Sequence, residues 1–310
     1  MPDTSDYERV NCLLCGSSNH KVILEEKTGI VKCLNCGLVY TNPRLKDSLN
    51  RKIFSEQGDF DVIRYNNLKA WEIPKFNEVL ISIEHFIKPG KILDVGCGNG
   101  NFLSCAMNRG WDTYGVDLNP ASFEPCSKFG KIFIGNISEA GLRDNFFDAI
   151  FSSSTFCYFT EPLVFLKEAF RILRPGGVIF IEGIPNIVSL HSRINIKKYI
   201  EPYPPEQVSF YFDRKHLRIL ALKSGLDVIN IRTPGIKGIF HFLFSKNNEK
   251  PVFENNLSDD PELTKVHQRE RLCVRIIKSA VNGILSFFSL GYQLVLFAKK
   301  PASFSTKKYM

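Results

Sequence analysis

The feature that most constrains this chain is an apolar run, Ile92-Leu93-Asp94-Val95, that breaks into Gly96-Cys97-Gly98-Asn99-Gly100 and resumes as an amphipathic stretch from Phe102. Glycines at alternate positions permit backbone conformations closed to other residues. The pattern therefore predicts a tight turn between a buried strand and a helix, with main chain open to close approach by a ligand. Gly115-Val116-Asp117 ends the next apolar segment, and Asp117 lies nineteen residues after Gly98, where a carboxylate can accept bonds from both hydroxyls of a ribose. The turn is not G-x-G-x-x-G, and Asp94 just before it would repel a pyrophosphate, so a cationic ligand suits it better than a dinucleotide.

From Lys91 onward strands and helices are predicted to alternate. Ile92 to Val95, Thr113 to Val116, Ile132 to Ile134, Ala149 to Ser152, Val178 to Glu182 and Val228 to Arg232 read as strands. Phe102 to Arg109, Pro162 to Leu173 and Asp213 to Ser224 read as helices, the second stopped by Pro175-Gly176-Gly177. Such alternation means an α/β fold, a parallel sheet with helices on both faces. A helix from about Leu263 to Phe288 and a last strand, Gln293 to Ala298, close the pattern after a polar insertion at residues 245 to 261.

The N-terminus carries a different signal. Cys12-Leu13-Leu14-Cys15-Gly16 and Cys33-Leu34-Asn35-Cys36-Gly37 are two knuckles separated by a hairpin-sized stretch with strand-like Val22-Ile23-Leu24 and Ile30-Val31-Lys32. This looks like a zinc ribbon, with Cys12, Cys15, Cys33 and Cys36 as the ligands of a closed tetrahedral site and a scaffolding rather than catalytic metal. The organisation expected is a zinc ribbon at 1–45, a connector and leading helix (about Ala70 to Phe86) at 46–90, and a main domain at 91–310 with an insertion at about 236–290.

The motif Asp94-Val95-Gly96-Cys97-Gly98-Asn99-Gly100 with Asp117 resembles the class I S-adenosylmethionine-dependent methyltransferases over roughly Ile92 to Arg232. The resemblance implies a Rossmann-like, seven-stranded, mostly parallel sheet. It further implies that Gly96, Gly98 and Gly100 admit the methionine part of the cofactor and that Asp94 orients its amino group. Asp117 would hold the ribose, and Asn136-Ile137 would flank the adenine, with Cys97, Leu118 and Ser153 completing the contacts. Cys36 to Arg44 (Cys-Gly-Leu-Val-Tyr-Thr-Asn-Pro-Arg) and the ending Ala298-Lys299-Lys300 resemble the subgroup found with bacterial polysaccharide and sugar biosynthesis. That implies a small-molecule or glycan acceptor, methylated on a sugar hydroxyl, and a structural zinc ion beside the cofactor.

Members of that subgroup commonly carry Glu-His after the fourth strand, where this chain has Cys157-Tyr158, and a second histidine after Pro-Pro-x, where Pro204-Pro205-Glu206 is followed by Gln207. Transfer from a sulfonium needs mainly positioning, though a base helps an alcohol acceptor. Tyr158, His191 and His216 are the catalytic candidates left on the expected acceptor side. An RNA methyltransferase is one alternative, but the first 45 residues hold five basic and five acidic side chains, and phosphate binding needs a basic surface. Nucleic acid is therefore not the expected partner. A non-catalytic S-adenosylmethionine-binding protein is the other alternative, motivated by the two missing histidines.

The net charge of +8 is confined to one end: from Thr264 to Met310 nine Lys and Arg face Glu270 alone. Residues Ser279 to Ala298 are free of charge, but Asn282, Gly283, Gly291 and Gln293 interrupt them, so the expectation is a helix packed on the core or against a second copy. Peripheral contact with an anionic membrane through this basic helix is the rival reading. The start of the chain lacks the pattern of a secretory signal, and four of nine cysteines fall in C-x-x-C pairs, so a cytoplasmic setting is expected.

Overall fold

The computed structural model describes residues 3–25, 28–56, 72–235 and 283–302. Short strands punctuated by the cysteine turns come first: β1 (Tyr7–Glu8), β2 (His20–Leu24), β3 (Ile30–Cys33), β4 (Val39–Thr41) and β5 (Arg44–Leu45). Helices α1 (Asp47–Glu56) and α2 (Glu72–Glu84) follow. The alternating region is β6 (Lys91–Val95), α3 (Asn101–Met107), β7 (Asp112–Asp117), α4 (Phe123–Ser127), β8 (Lys131–Ile134), β9 (Phe147–Ser153), α5 (Pro162–Ile172) and β10 (Leu173–Pro185). After it come α6 (Leu190–Ile194), α7 (Ile196–Ile200), β11 (Phe210–Tyr211), α8 (Arg214–Lys223), β12 (Asp227–Arg232) and β13 (Gln293–Lys299).

Seven strands form one sheet in the order β12-β13-β10-β9-β6-β7-β8. β8, β7, β6, β9 and β10 run parallel, and β13 lies antiparallel between β10 and β12. The strands are near-continuous apolar runs because helices cover both faces. On one face Phe102 of α3 stacks on Phe151 of β9 at 3.8 Å between centroids, and Phe76 of α2 meets both edge-on. Burying a ring such as Phe151 fully contributes about 2–3 kcal/mol. On the other face Leu93, Ile150, Ile179 and Ile181 pack with α5 and α8 through Leu166, Ala169, Leu217 and Leu220. The strand order reverses between β6 and β9, and a ligand site is expected at the carboxyl ends of the strands there.

A second sheet, β11-β4-β3-β2, joins the N-terminal residues to the main body, because β11 comes from far along the chain and pairs antiparallel with β4. Thr41 reinforces the seam: its N–H donates to the Ser209 carbonyl (3.0 Å) and its hydroxyl to that of Val208 (2.6 Å). Arg44 is buried and donates to the Thr160 carbonyl (2.5 Å), Glu8 (3.0 Å) and Glu161 (2.8 Å).

The structure departs from the sequence expectations in several places. The Pro175-Gly177 stretch lies inside the continuous strand β10, as an irregularity between the pairs Leu173–Phe147 and Val178–Ala149, with Gly176 in the left-handed region at φ 79°. α6 and α7 were not expected: each is only five residues, started by a side-chain cap from Ser189 or Asn195, too short for a helical period to register. α1 replaces a stretch expected to be connector. Of the helix expected at 263–288 only 283–288 is described, 283–287 as helix and 288 as turn; the aromatic stretch 239–244, Cys273 and most of the insertion at 236–290 lie outside the described residues. Residues 293–299 form the expected last strand, and among the described residues no helix is long and apolar enough to cross a membrane.

Candidate active site

The turn after β6 has all three of its glycines at positive φ: 79°, 52° and 79° for Gly96, Gly98 and Gly100. Each serves a different need. A Cβ at Gly96 would collide with the Thr155 side chain, and one at Gly100 would press on Phe129 and Cys126, so these two permit close packing. A Cβ at Gly98 would meet nothing within 4 Å, so this residue presents bare main chain to open space. The turn is tied down behind: Gly96 N–H donates to the Val116 carbonyl (2.8 Å), and the Cys126 thiol donates to the Gly98 carbonyl (3.1 Å). Cys97 is buried with its sulfur 3.8 Å from that of Cys126, a packing position beneath the turn.

Asp117 ends β7 beside this turn. Its carboxylate accepts from the Gly98 N–H (2.8 Å) and the Asn119 N–H (2.9 Å), which fixes the group at the sheet edge. Burial raises its pKa, and the backbone bonds from Asn119, Gly98 and Leu118 oppose that rise. Asp94, in the last turn of β6, is 3% exposed. Burial, then the negative charges of Asp117 and Glu182, push its carboxyl well above the ordinary carboxylate range. An ionised Asp94 would thus be stabilised by a cation placed among these groups. On the far side of β7, Gly135-Asn136 follows β8; Asn136 is partly buried, its carbonyl opens a short turn to Glu139 and Ala140, and Ile137 is buried.

Sequence reasoning missed Glu182, on β10. It is buried, and its Oε1 accepts from the Ser153 hydroxyl (2.9 Å) and pairs with Lys75 Nζ of α2 (2.7 Å). A signal was present: a carboxylate closes the otherwise apolar run Val178-Ile179-Phe180-Ile181. Ser154, next to Ser153, sits in the left-handed region at φ 55°, its N–H donating to the Glu182 carbonyl (3.0 Å), and Gly183 leaves room for its side chain. The ends of β9 and β10 are held together by these contacts.

Of the three catalytic candidates, Tyr158 and His191 border one aromatic cluster that includes Tyr199 and Tyr292, and His216 lies at the N-terminal sheet. Tyr158 follows β9 in a 3-10 turn (Phe156–Tyr158), its carbonyl accepting from Asn50 (3.0 Å) and its ring tilted against Phe54 of α1 (4.9 Å). His191, on α6, is buried and edge-on to Tyr292 (5.0 Å), and burial lowers its pKa. His216 is at the junction with the N-terminal sheet: one ring nitrogen is 2.8 Å from Asp213 and the other 2.9 Å from the Cys36 carbonyl. Burial alone would lower the His216 pKa, but these two bonds raise it. Tyr158 and Ser153 are thus at the carboxyl edge of the sheet, whereas His216 braces a cysteine turn. Buried Cys157, its thiol pushed up to about 12 by burial, packs among Tyr199, Tyr203 and Tyr211.

The sulfurs of Cys12, Cys15, Cys33 and Cys36 all lie within 4.8 Å of one another, with no disulfide among them. Gly16 and Gly37, at φ 71° and 91°, turn their N–H groups back to the carbonyls of Cys12 (2.8 Å) and Cys33 (3.0 Å), which closes each knuckle. Tetrahedral thiolates about 2.3 Å from a zinc ion stand roughly 3.8 Å apart, and the pairs Cys12–Cys36 at 3.4 Å and Cys15–Cys33 at 3.5 Å come close to that span.

Residues 93–181 match the methyltransferase domain family. Cycloartenol-C-24-methyltransferase 1 of Oryza sativa subsp. japonica is 32% identical over 127 residues, covering 36% of each chain. A malonyl-[acyl-carrier protein] O-methyltransferase of Serratia marcescens is 33% identical over 100 residues, 31% of this chain and 39% of that one. The chain therefore matches well under half the length of these relatives. Magnesium protoporphyrin IX methyltransferase from Synechocystis PCC 6803, solved with bound SAH, superposes with a TM-score of 0.50 at 11% identity, over 82% of this chain and 100% of that one, a likeness of fold alone. The sheet order reverses beside the glycine turn, and the match to the methyltransferase domain family begins on the strand leading into it; the chain has a Rossmann-like class I methyltransferase fold.

Proposed function

We propose that this chain transfers a methyl group from S-adenosylmethionine to a hydroxyl of a small-molecule or glycan acceptor, specifically a sugar. The observation that carries the cofactor half is the pairing of bare main chain at Gly98 with the Asp117 carboxylate anchored beside it. Bound there, S-adenosylmethionine supplies a methyl on a sulfonium, a good leaving group. Asp117 would accept from the ribose hydroxyls, Asn136 would bond the adenine amine, and Ile137 would give the ring an apolar wall. Asp94, with Ser153 on the neighbouring strand, would receive the ammonium end. Three acidic groups in one place favour the cationic donor over the neutral product.

The relatives carry names of different acceptors, so the acceptor rests on other features. The stretch Cys36 to Arg44 and the Ala298-Lys299-Lys300 ending support the sugar reading through their resemblance to sugar-pathway members. The four cysteines would hold a zinc ion in a closed site, which leaves no position for substrate and gives the metal a structural role. Labelled methyl transfer from S-adenosylmethionine to a cell extract, fractionated into RNA and polar glycan or nucleotide-sugar pools, tests this. Label in the glycan pool is expected; label in RNA would replace the acceptor, and label in neither would leave a non-catalytic cofactor-binding protein.

A further inference from the structure

We propose that Glu182 is the catalytic base, taking the proton from the acceptor hydroxyl as the methyl group is transferred. This rests on the methyl-transfer reading above and names a residue that reading does not require. Three observations lead to it.

The first is position. Asp94, Ser153 and Glu182 follow, two residues on, the face-sharing residues Ile92, Phe151 and Phe180, so the alternation of a strand puts them on the same face of three adjacent strands, at the carboxyl end. Glu182 adds to the upward shift of Asp94, which places its charge close to the end of the sheet where the glycine turn lies. The second is cost. A carboxylate at 8% exposure inside an apolar strand, followed by buried Gly183, Ile184 and Pro185, is expensive for stability, and packing alone would favour an aliphatic residue there. The third is preparation. Among the described residues, the hydrogen bond from Ser153 and the ion pair with Lys75 both fall on Oε1, so the group is oriented through one oxygen while Oε2 is left for an acceptor hydroxyl. Lys75 comes from α2, the helix that covers this face, and is half-exposed, so it pairs with the carboxylate without sealing it.

The step balances without a further reagent. A lone pair of the acceptor oxygen forms the new C–O bond, the C–S bond breaks with its electrons passing to sulfur, and the hydroxyl proton moves to Glu182. The protonated carboxyl then returns its proton to water.

The test uses the full chain with labelled S-adenosylmethionine and the extract fraction that the wild type labels. Glu182→Gln keeps the shape and can still accept from Ser153. It is expected to lower kcat by about 100-fold or more while S-adenosylhomocysteine affinity and Tm stay near wild type. Lys75→Gln, at a half-exposed position that folding tolerates, is expected to lower kcat less than Glu182→Gln does, with Tm near wild type, because the carboxylate keeps its Ser153 bond but loses the ion pair that orients it. A purely structural staple between α2 and β10 would instead lower Tm in both variants and leave kcat in place, which overturns the assignment. Absence of transfer by the wild type, with S-adenosylhomocysteine still bound, removes the methyl-transfer reading and this assignment together; transfer retained by Glu182→Gln removes this assignment alone.

Discussion

Asp94 shows at a single residue how this site sets binding against stability. Its folded pKa is raised by burial and by Asp117 and Glu182, so at low pH, where both folded and unfolded chains carry the proton, it costs nothing. As the pH rises through the ordinary carboxylate value the unfolded chain ionises first, and the folded state loses stability until the folded pKa is passed. Asp94→Asn is therefore expected to raise Tm by a few degrees at neutral pH, with little difference near pH 3, and to weaken cofactor binding. Thermal scans at both pH values check this, and a lower Tm at neutral pH would contradict it. At this scale the glycines and Asp117 were legible in the sequence, because positive φ and a ribose carboxylate each demand a residue type. Glu182 was not, because an acid at the end of an apolar run usually marks only the strand's exit to solvent.

At the scale of elements, the parallel strands were legible because burial on both faces writes them as apolar runs. The seam between the N-terminal sheet and the main body was not: β4 and β11 share a ladder of two register pairs between segments about 170 residues apart, and nothing in either segment names its partner. Arg44 concentrates the energetics of that seam, with its guanidinium buried against the Thr160 carbonyl and two carboxylates. Glu8 and Glu161 are partly exposed and would be rehydrated, so the main loss on truncation is the unsatisfied Thr160 carbonyl and the packing of the arginine stem. Arg44→Ala is expected to reduce unfolding free energy by about 2 kcal/mol. Urea denaturation with an unchanged m-value would fit; a change under about 0.5 kcal/mol would not.

For the whole molecule, the cysteine cluster and the seven-stranded sheet with its helices share one folded body. The Cys36 carbonyl bonds to His216 of α8, and Lys223 of the same helix donates to the Leu14 carbonyl (2.6 Å). Metal binding to four thiolates would be coupled to folding. Removing zinc with a strong chelator is then expected to release about one equivalent per chain and to lower the Tm of the entire protein, not only of its N-terminal part. A single transition with unchanged Tm after metal loss would mean that the two sheets are energetically independent. The cofactor site itself is tested by calorimetric titration of S-adenosylhomocysteine into the wild type and Asp117→Ala. Two hydrogen bonds to a charged acceptor are worth about 3–6 kcal/mol together, so saturable binding to the wild type and a loss of at least about 100-fold in the variant are expected. Equal affinity in the two proteins would contradict the site.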